Sequence, residues 1–166
     1  MKGYLKAYPE LCILKAFTKS YGMAGVRLGY CLCSDEELLE KMSRTVQPWN
    51  VSILAQAAGV AALSETQFLA KTKALIPVER RWLKGELEAL GLWVCPSKAN
   101  YLLFYGEPEL HTTLKKHGIA IRNCDNYHGL SSGWYRIAVR LHEQNRQLIA
   151  AMKQVLRKES SWQKTL

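Results

Sequence analysis

Apolar and polar positions follow two rhythms along this chain. Leu11 to Phe17 and Val26 to Cys33 are short apolar runs, and each predicts a strand. The polar, glycine-containing stretch between them reads as a loop carrying Lys19. Ser34-Asp35-Glu36-Glu37 predicts a helix start, with Ser34 as N-cap and Glu37 completing a capping box, and that helix should run to about Arg44. Pro48 marks a turn, and Val51 to about Leu63 predicts a small-residue helix suited to close packing. Thr66 to Leu90 keeps a helical period, which Pro77 is expected to kink or split and Gly91 to stop.

Beyond Gly91 the texture changes. Trp93 to Cys95, Tyr101 to Phe104, Ala120 to Asn123 and Trp134 to Val139 are strand-like, and Pro108 to His117 and Glu143 to Arg157 are helical. Short strands and helices mixed in this way predict a compact α+β unit. The expected class is therefore α/β: a mixed sheet with helices over residues 1–75, then a small α+β domain over 76–159. Residues 160–166 read as a frayed tail. The chain contains no internal repeat and no low-complexity segment.

Composition narrows the classes. The chain has 166 residues, 48% hydrophobic and 22% charged, which suits a globular protein. The formal charge of +9 raises the question of nucleic acid. However, Lys71, Lys73, Arg80, Arg81 and Lys84 are spaced as the wet side of a helix, with Glu79, Glu86 and Glu88 among them, so no nucleic-acid partner is expected. No apolar run reaches the length of a membrane span, and no signal-peptide pattern opens the chain; the expectation is a cytoplasmic protein with no membrane partner. Cys12, Cys31, Cys33, Cys95 and Cys124 are an odd number of thiols. Cys31-Leu32-Cys33 lacks the second cysteine pair of a zinc site, so no metal is expected and the thiols read as reduced and mostly buried.

The most informative run is Lys15-Ala16-Phe17-Thr18-Lys19-Ser20-Tyr21-Gly22-Met23-Ala24-Gly25-Val26-Arg27-Leu28-Gly29-Tyr30. A lysine amine can form an imine with an aldehyde cofactor, and an arginine eight residues on can grip a phosphate through two hydrogen bonds. Glycines at 22, 25 and 29 let the backbone turn and approach a ligand. Spacing alone is better explained by two solvated surface cations on a Gly-rich loop.

The run resembles the active-site lysine segment of the pyridoxal-phosphate enzymes of the aspartate-aminotransferase fold. Within them it is most similar to histidinol-phosphate aminotransferases and the threonine-phosphate decarboxylases of cobalamin biosynthesis. Thr18, Lys19, Ala24, Gly25, Arg27, Gly29 and Tyr30 carry the match. It continues in order through Gln47-Pro48-Trp49-Asn50-Val51-Ser52, Ala99-Asn100-Tyr101-Leu102-Leu103-Phe104, Gly118-Ile119 to Cys124, and Trp134-Tyr135-Arg136-Ile137-Ala138-Val139.

The resemblance implies pyridoxal 5'-phosphate as cofactor, Lys19 as its imine-forming residue, and Thr18 and Arg27 as further cofactor contacts. It implies that Arg136 reaches the substrate's carboxylate or phosphate, that Arg122 assists with that anion, and that Asn100 faces the substrate. The substrate would be an amino acid or amino phosphate, and the intact enzyme a homodimer. Residues 121–130 and the pair Val139-Arg140 look more like the decarboxylases, although Arg140 stands where many aminotransferases have glycine. The family's Gly-rich phosphate loop, stacking aromatic and pyridine-pairing aspartate have no matching segment before Lys19. The chain therefore reads as the C-terminal half of an enzyme, inactive in isolation. The competing reading is a non-catalytic fragment or binding partner without the cofactor cradle.

Overall fold

The computed structural model describes residues 2–162. The chain divides into two compact units between Lys71 and Thr72.

In the first unit, β1 (Ile13–Ala16) pairs antiparallel with β2 (Gly29–Leu32), from Ile13↔Leu32 to Ala16↔Gly29. Both strands are shorter than the apolar runs that predicted them. The residues between them are not a plain loop: Phe17–Ser20 is a one-turn helix, α1, and Ala24–Val26 winds into a 3-10 turn. Phe17 explains the difference. Its ring is buried and stacks on Tyr21, four residues on, with centroids 5.1 Å apart. Its carbonyl accepts from the N–H groups of both Tyr21 and Met23 at 3.2 Å. Lys19 thus sits on a helical turn.

The next helix, α2 (Glu36–Thr45), is capped one residue later than the sequence suggests. Asp35 accepts the Leu38 N–H at 2.9 Å, while the Ser34 hydroxyl donates to the distant Leu5 carbonyl. An anionic cap also complements the helix dipole, and with the cap shifted Glu37 pairs with Lys41 instead of closing a capping box. Helix α3 (Ile53–Ser64) is capped by Ser52, whose hydroxyl accepts the Ala55 N–H at 3.2 Å. It buries its small residues Ala55, Gly59 and Ala62. A Cβ at Gly59 would meet Leu28 Cδ2 at 2.5 Å, so the small side chains set how closely this helix approaches.

Pro77 neither splits nor ends α4, which runs from Thr66 to Ala89. A proline in a helix interior costs about 3 kcal/mol. The offset is the stripe Glu79, Leu83 and Leu87, buried at i, i+4 and i+8. Gly91, at φ +80°, supplies the left-handed residue that terminates the helix.

The second unit is an antiparallel sheet of order β3-β4-β6-β5, built from Trp93–Val94, Tyr101–Tyr105, Trp134–Ala138 and Arg122–Asn123 respectively. Leu102, Phe104, Tyr135 and Ile137 face the core with α4, α5 (Leu110–Lys116) and α6 (His142–Trp162). The intervening residues of β4 and β6 form the opposite, more exposed face. The helix α6 continues through Ser160 to Trp162; the rest of the predicted tail, 163–166, lies outside the described residues.

Tyr135 ties this core to its rim. Its fully buried hydroxyl donates to the Glu107 carbonyl at 2.9 Å and accepts from the Leu110 N–H at 3.2 Å, and burial raises its pKa. Tyr135→Phe removes the hydroxyl from both backbone groups and leaves them only their long 3.3 Å bond to each other, so urea unfolding of this unit should lose about 0.5–1.5 kcal/mol. An unchanged midpoint would show that water replaces the hydroxyl at no cost.

Candidate active site

Residues from β1 to β2 build the first cluster. The Phe17 N–H donates to the Leu28 carbonyl at 3.1 Å, extending the ladder one step beyond Ala16↔Gly29. Lys19 leaves one side of that link and Arg27 precedes the other, so Thr18, Lys19 and Arg27 are held in one short connection. Gly29 permits the close strand approach at its base: a Cβ there would lie 2.8 Å from the Lys15 carbonyl oxygen. The Thr18 side chain is half-buried, and Lys19 and Arg27 are exposed.

Arg27 adopts the left-handed conformation, φ 56° and ψ 40°. For a side-chain-bearing residue this costs about 1–2 kcal/mol, and such strain collects where a backbone is shaped for a ligand. Its guanidinium makes only a long contact, 3.4 Å, to the Ala24 carbonyl. Neither Lys19 nor Arg27 forms an ion pair among the described residues. Tyr21 and Tyr30 pack on Phe17 at 5.1 and 6.0 Å, which makes them part of the scaffold under the connection.

The second unit gathers the other candidates. Arg122 and Arg136 are directly opposed on β5 and β6. Like charges on one rung repel, and no carboxylate neutralises either one among the described residues. Each guanidinium lies near a tyrosine ring instead, Arg136 at 5.3 Å from Tyr101 and Arg122 at 5.7 Å from Tyr127. Arg122 Nη2 also donates to Asn126 Oδ1 at 3.2 Å. Each guanidinium is a flat, multi-donor cation of the kind suited to bidentate contact with an anion. The Cys124 thiol lies buried beside β5, pushed up by burial and drawn down by Arg136 and Arg122.

Asn100 precedes β4, one residue from the tyrosine beside Arg136. Its carbonyl accepts the Val139 N–H at 2.9 Å. The turn before it is held by Ser97, whose hydroxyl donates to the Tyr101 carbonyl at 2.8 Å and accepts the Ala99 N–H at 3.1 Å, so the Asn100 amide is exposed and not needed as a cap. His128 is exposed in the loop between the two arginines.

A supporting network was missed by sequence reasoning. Glu79, buried in α4, accepts from Asn145 Nδ2 at 2.9 Å and meets His142 Nδ1 at 3.2 Å. Asn145 in turn brackets Arg140, accepting from its N–H at 3.1 Å and donating to its carbonyl at 2.9 Å. Arg80 donates to the Ala99 carbonyl at 2.8 Å. One helix therefore fixes both the loop before β4 and the loop after β6. The available signal was a glutamate in register with Leu83 and Leu87. Beside the second loop, a cleft of about 390 Å³ is bordered by Arg136, Arg140 and Gln144.

Residues 3–152 match the family model described as aminotransferase class I and II. The chain is 38% identical over 156 residues to the threonine-phosphate decarboxylase of Salmonella typhimurium, covering 92% of this chain and 43% of that protein. Its structure is similar to histidinol-phosphate aminotransferase from Clostridium acetobutylicum, with a TM-score of 0.87 and 30% identity over 95% of this chain and 49% of that one. It is also similar to histidinol-phosphate aminotransferase from Sinorhizobium meliloti, solved in complex with pyridoxal-5'-phosphate, with a TM-score of 0.76 and 25% identity over 90% and 42% of the two chains. The chain thus spans half or less of the length of these relatives. The match runs through both units, and on it the chain belongs to the class I and II aminotransferase family.

Proposed function

We propose that this chain carries the lysine-bearing part of a pyridoxal-phosphate enzyme that transaminates or decarboxylates an amino acid or amino phosphate. In this reading the first unit belongs to the cofactor domain and the second is the substrate-side domain of a homodimeric enzyme. The supporting observation is the connection between β1 and β2, which presents Lys19 and a strained Arg27, both exposed and without a carboxylate partner.

The residues fit the cofactor's two handles. Lys19 Nζ would hold the aldehyde carbon, and the Arg27 guanidinium would take the phosphate, with the Thr18 hydroxyl offering a further donor. Bound pyridoxal phosphate would supply an electron-withdrawing ring that takes up the electron pair of the broken bond. Lys19 Nζ, once freed by the substrate amine, would move a proton at the substrate α-carbon. Arg122 and Arg136 would orient the substrate through its anionic group, and that orientation decides which α-carbon bond breaks. The names of the similar proteins include both a decarboxylase and aminotransferases, so both outcomes stay in the proposal. The first unit also leaves Ile53, Leu54, Val60 and Leu63 of α3 exposed, as expected of a piece of a larger domain.

Borohydride reduction of the cofactor-loaded intact enzyme should fix the cofactor on Lys19 and block tryptic cleavage there, giving a tagged peptide from Ala16 to Arg27. A tag on Lys15 would refute the assignment.

The arginines should separate by function. Arg27→Ala should weaken cofactor retention, whereas Arg136→Ala should raise KM with the cofactor still bound, each by about 2–5 kcal/mol. Equal cofactor loss in both variants would remove the division. Arg27→Gly should lose the cofactor like Arg27→Ala but unfold about 1 kcal/mol later, because glycine relieves the left-handed strain.

A further inference from the structure

The β1–β2 ladder brings together three thiols on its exposed face. Leu14 is paired with Cys31, and the register that ends at Ile13↔Leu32, continued one step outward, sets Cys12 against Cys33, whose sulfurs share a hydrogen bond. Side chains alternate along strands, so Cys12, Leu14, Cys31 and Cys33 share a face, while Ile13 is buried on the other. Leu14 is 75% exposed and Cys12 is exposed, so a small oxidant reaches this face. Cys33 Sγ donates to the Pro9 carbonyl at 3.2 Å, which places it beside the segment entering Cys12.

We propose that Cys12 and Cys33 are a peroxide-sensitive thiol pair that closes to a disulfide across the two strands. Opposed residues of an antiparallel pair have Cα atoms about 4.5–5.5 Å apart, inside the roughly 4.4–6.8 Å that a disulfide spans. Cys31 is paired with Leu14, which leaves it diagonal to Cys12 and worse placed. Among the described residues no group of three or more cysteine, histidine or acidic side chains is arranged to hold a metal ion, so the cluster is read as a covalent pair.

The two thiols are in hydrogen-bond contact, which with burial and the neighbouring sulfurs raises the Cys12 thiol to about 11. Oxidation starts at Cys33 in the sequence of steps assigned to the pair. The Cys33 sulfur attacks one peroxide oxygen as its proton leaves; the O–O bond breaks, and the departing hydroxide takes up that proton as water. The resulting sulfenic sulfur is attacked by Cys12. The S–S bond forms, the S–O bond breaks, and hydroxide leaves with the Cys12 proton as a second water. Two thiols and one hydrogen peroxide give one disulfide and two waters. The closed loop encloses Thr18, Lys19 and Arg27, although the proposal rests on the ladder alone and not on their function.

The test treats the 166-residue chain with hydrogen peroxide, blocks residual thiols with N-ethylmaleimide and maps tryptic peptides without reductant. Cys12 lies in the peptide Ala7–Lys15, and Cys31 and Cys33 share Leu28–Lys41. The expected result is a link between these two peptides at monomer mobility, with two of the five thiols lost and fragmentation placing the bond on Cys33. Cys31→Ser should leave the link intact, and Cys12→Ser and Cys33→Ser should each abolish it. A bond to Cys31, loss of the link in Cys31→Ser, crosslinks only between chains, or peroxide-oxidised Cys33 with no link would each overturn the proposal.

Discussion

Antiparallel pairing is the constraint on which both candidate clusters depend. The rung Ala16↔Gly29 gathers Lys19 and Arg27 into one connection, and Arg122↔Arg136 sets two arginines on one rung. Register is protected by what it buries. On β6, Tyr135 and Ile137 point into the core while Arg136 faces out. A slip by one residue would exchange them, burying an unpaired guanidinium and exposing a tyrosine whose hydroxyl has two partners. The core thus fixes the direction of the outward-facing Arg136, even though that side chain takes no part in it.

Much of this was legible in the sequence where a period or a motif ran long enough. The strands around Tyr101–Tyr105 and Trp134–Ala138, the amphipathic α6 and the order of elements follow from alternation and helical spacing. Lys19, Arg27, Arg122 and Arg136 came from family resemblance and not from periodicity. A single turn such as α1 is too short to show a period, and it depends on Phe17 and Tyr21 packing together. Ser34 and Asp35 are both able caps, and the choice is made by Leu5, 29 residues away from Ser34. The Glu79 network spans 63 to 66 residues, beyond the reach of any local pattern. Cys12 was equally hidden, because its place opposite Cys33 exists only once the strands pair.

The excess of positive charge takes its meaning from where acids are spent. The chain has 23 lysines and arginines against 14 acidic residues. Several of those acids pair along exposed helix faces: Glu37 with Lys41, Glu40 with Arg44, Glu88 with Lys84 and Glu143 with Arg146. Each such pair contributes about 0–1 kcal/mol, so they settle little about stability. Their effect is on location. Helical spacing consumes carboxylates locally, and the cations left without one include those on the β1–β2 connection and the β5–β6 rung. Among the described residues, part of the net charge thereby lies in cations without a carboxylate partner at these two places.

The two units differ in how completely they bury their own apolar residues. The second packs Leu83, Leu87, Leu102, Phe104, Leu114 and Met152 with no side-chain exposure to speak of. The first buries Ile13, Phe17 and the small face of α3, yet leaves Leu14, Ile53 and Leu54 more than three-quarters exposed or close to it. Local stability follows buried apolar contact, so the first unit is the one that opens more readily. Lys19 and Arg27 are therefore mounted on the less self-sufficient scaffold. Any ligand that engages both cations in the folded form adds RT ln(1 + [L]/Kd) to that unit's stability, about 2.7 kcal/mol at a hundredfold excess over Kd. Occupancy and order in the first unit would thus be coupled, and such binding would more than offset the about 1–2 kcal/mol of strain held at Arg27.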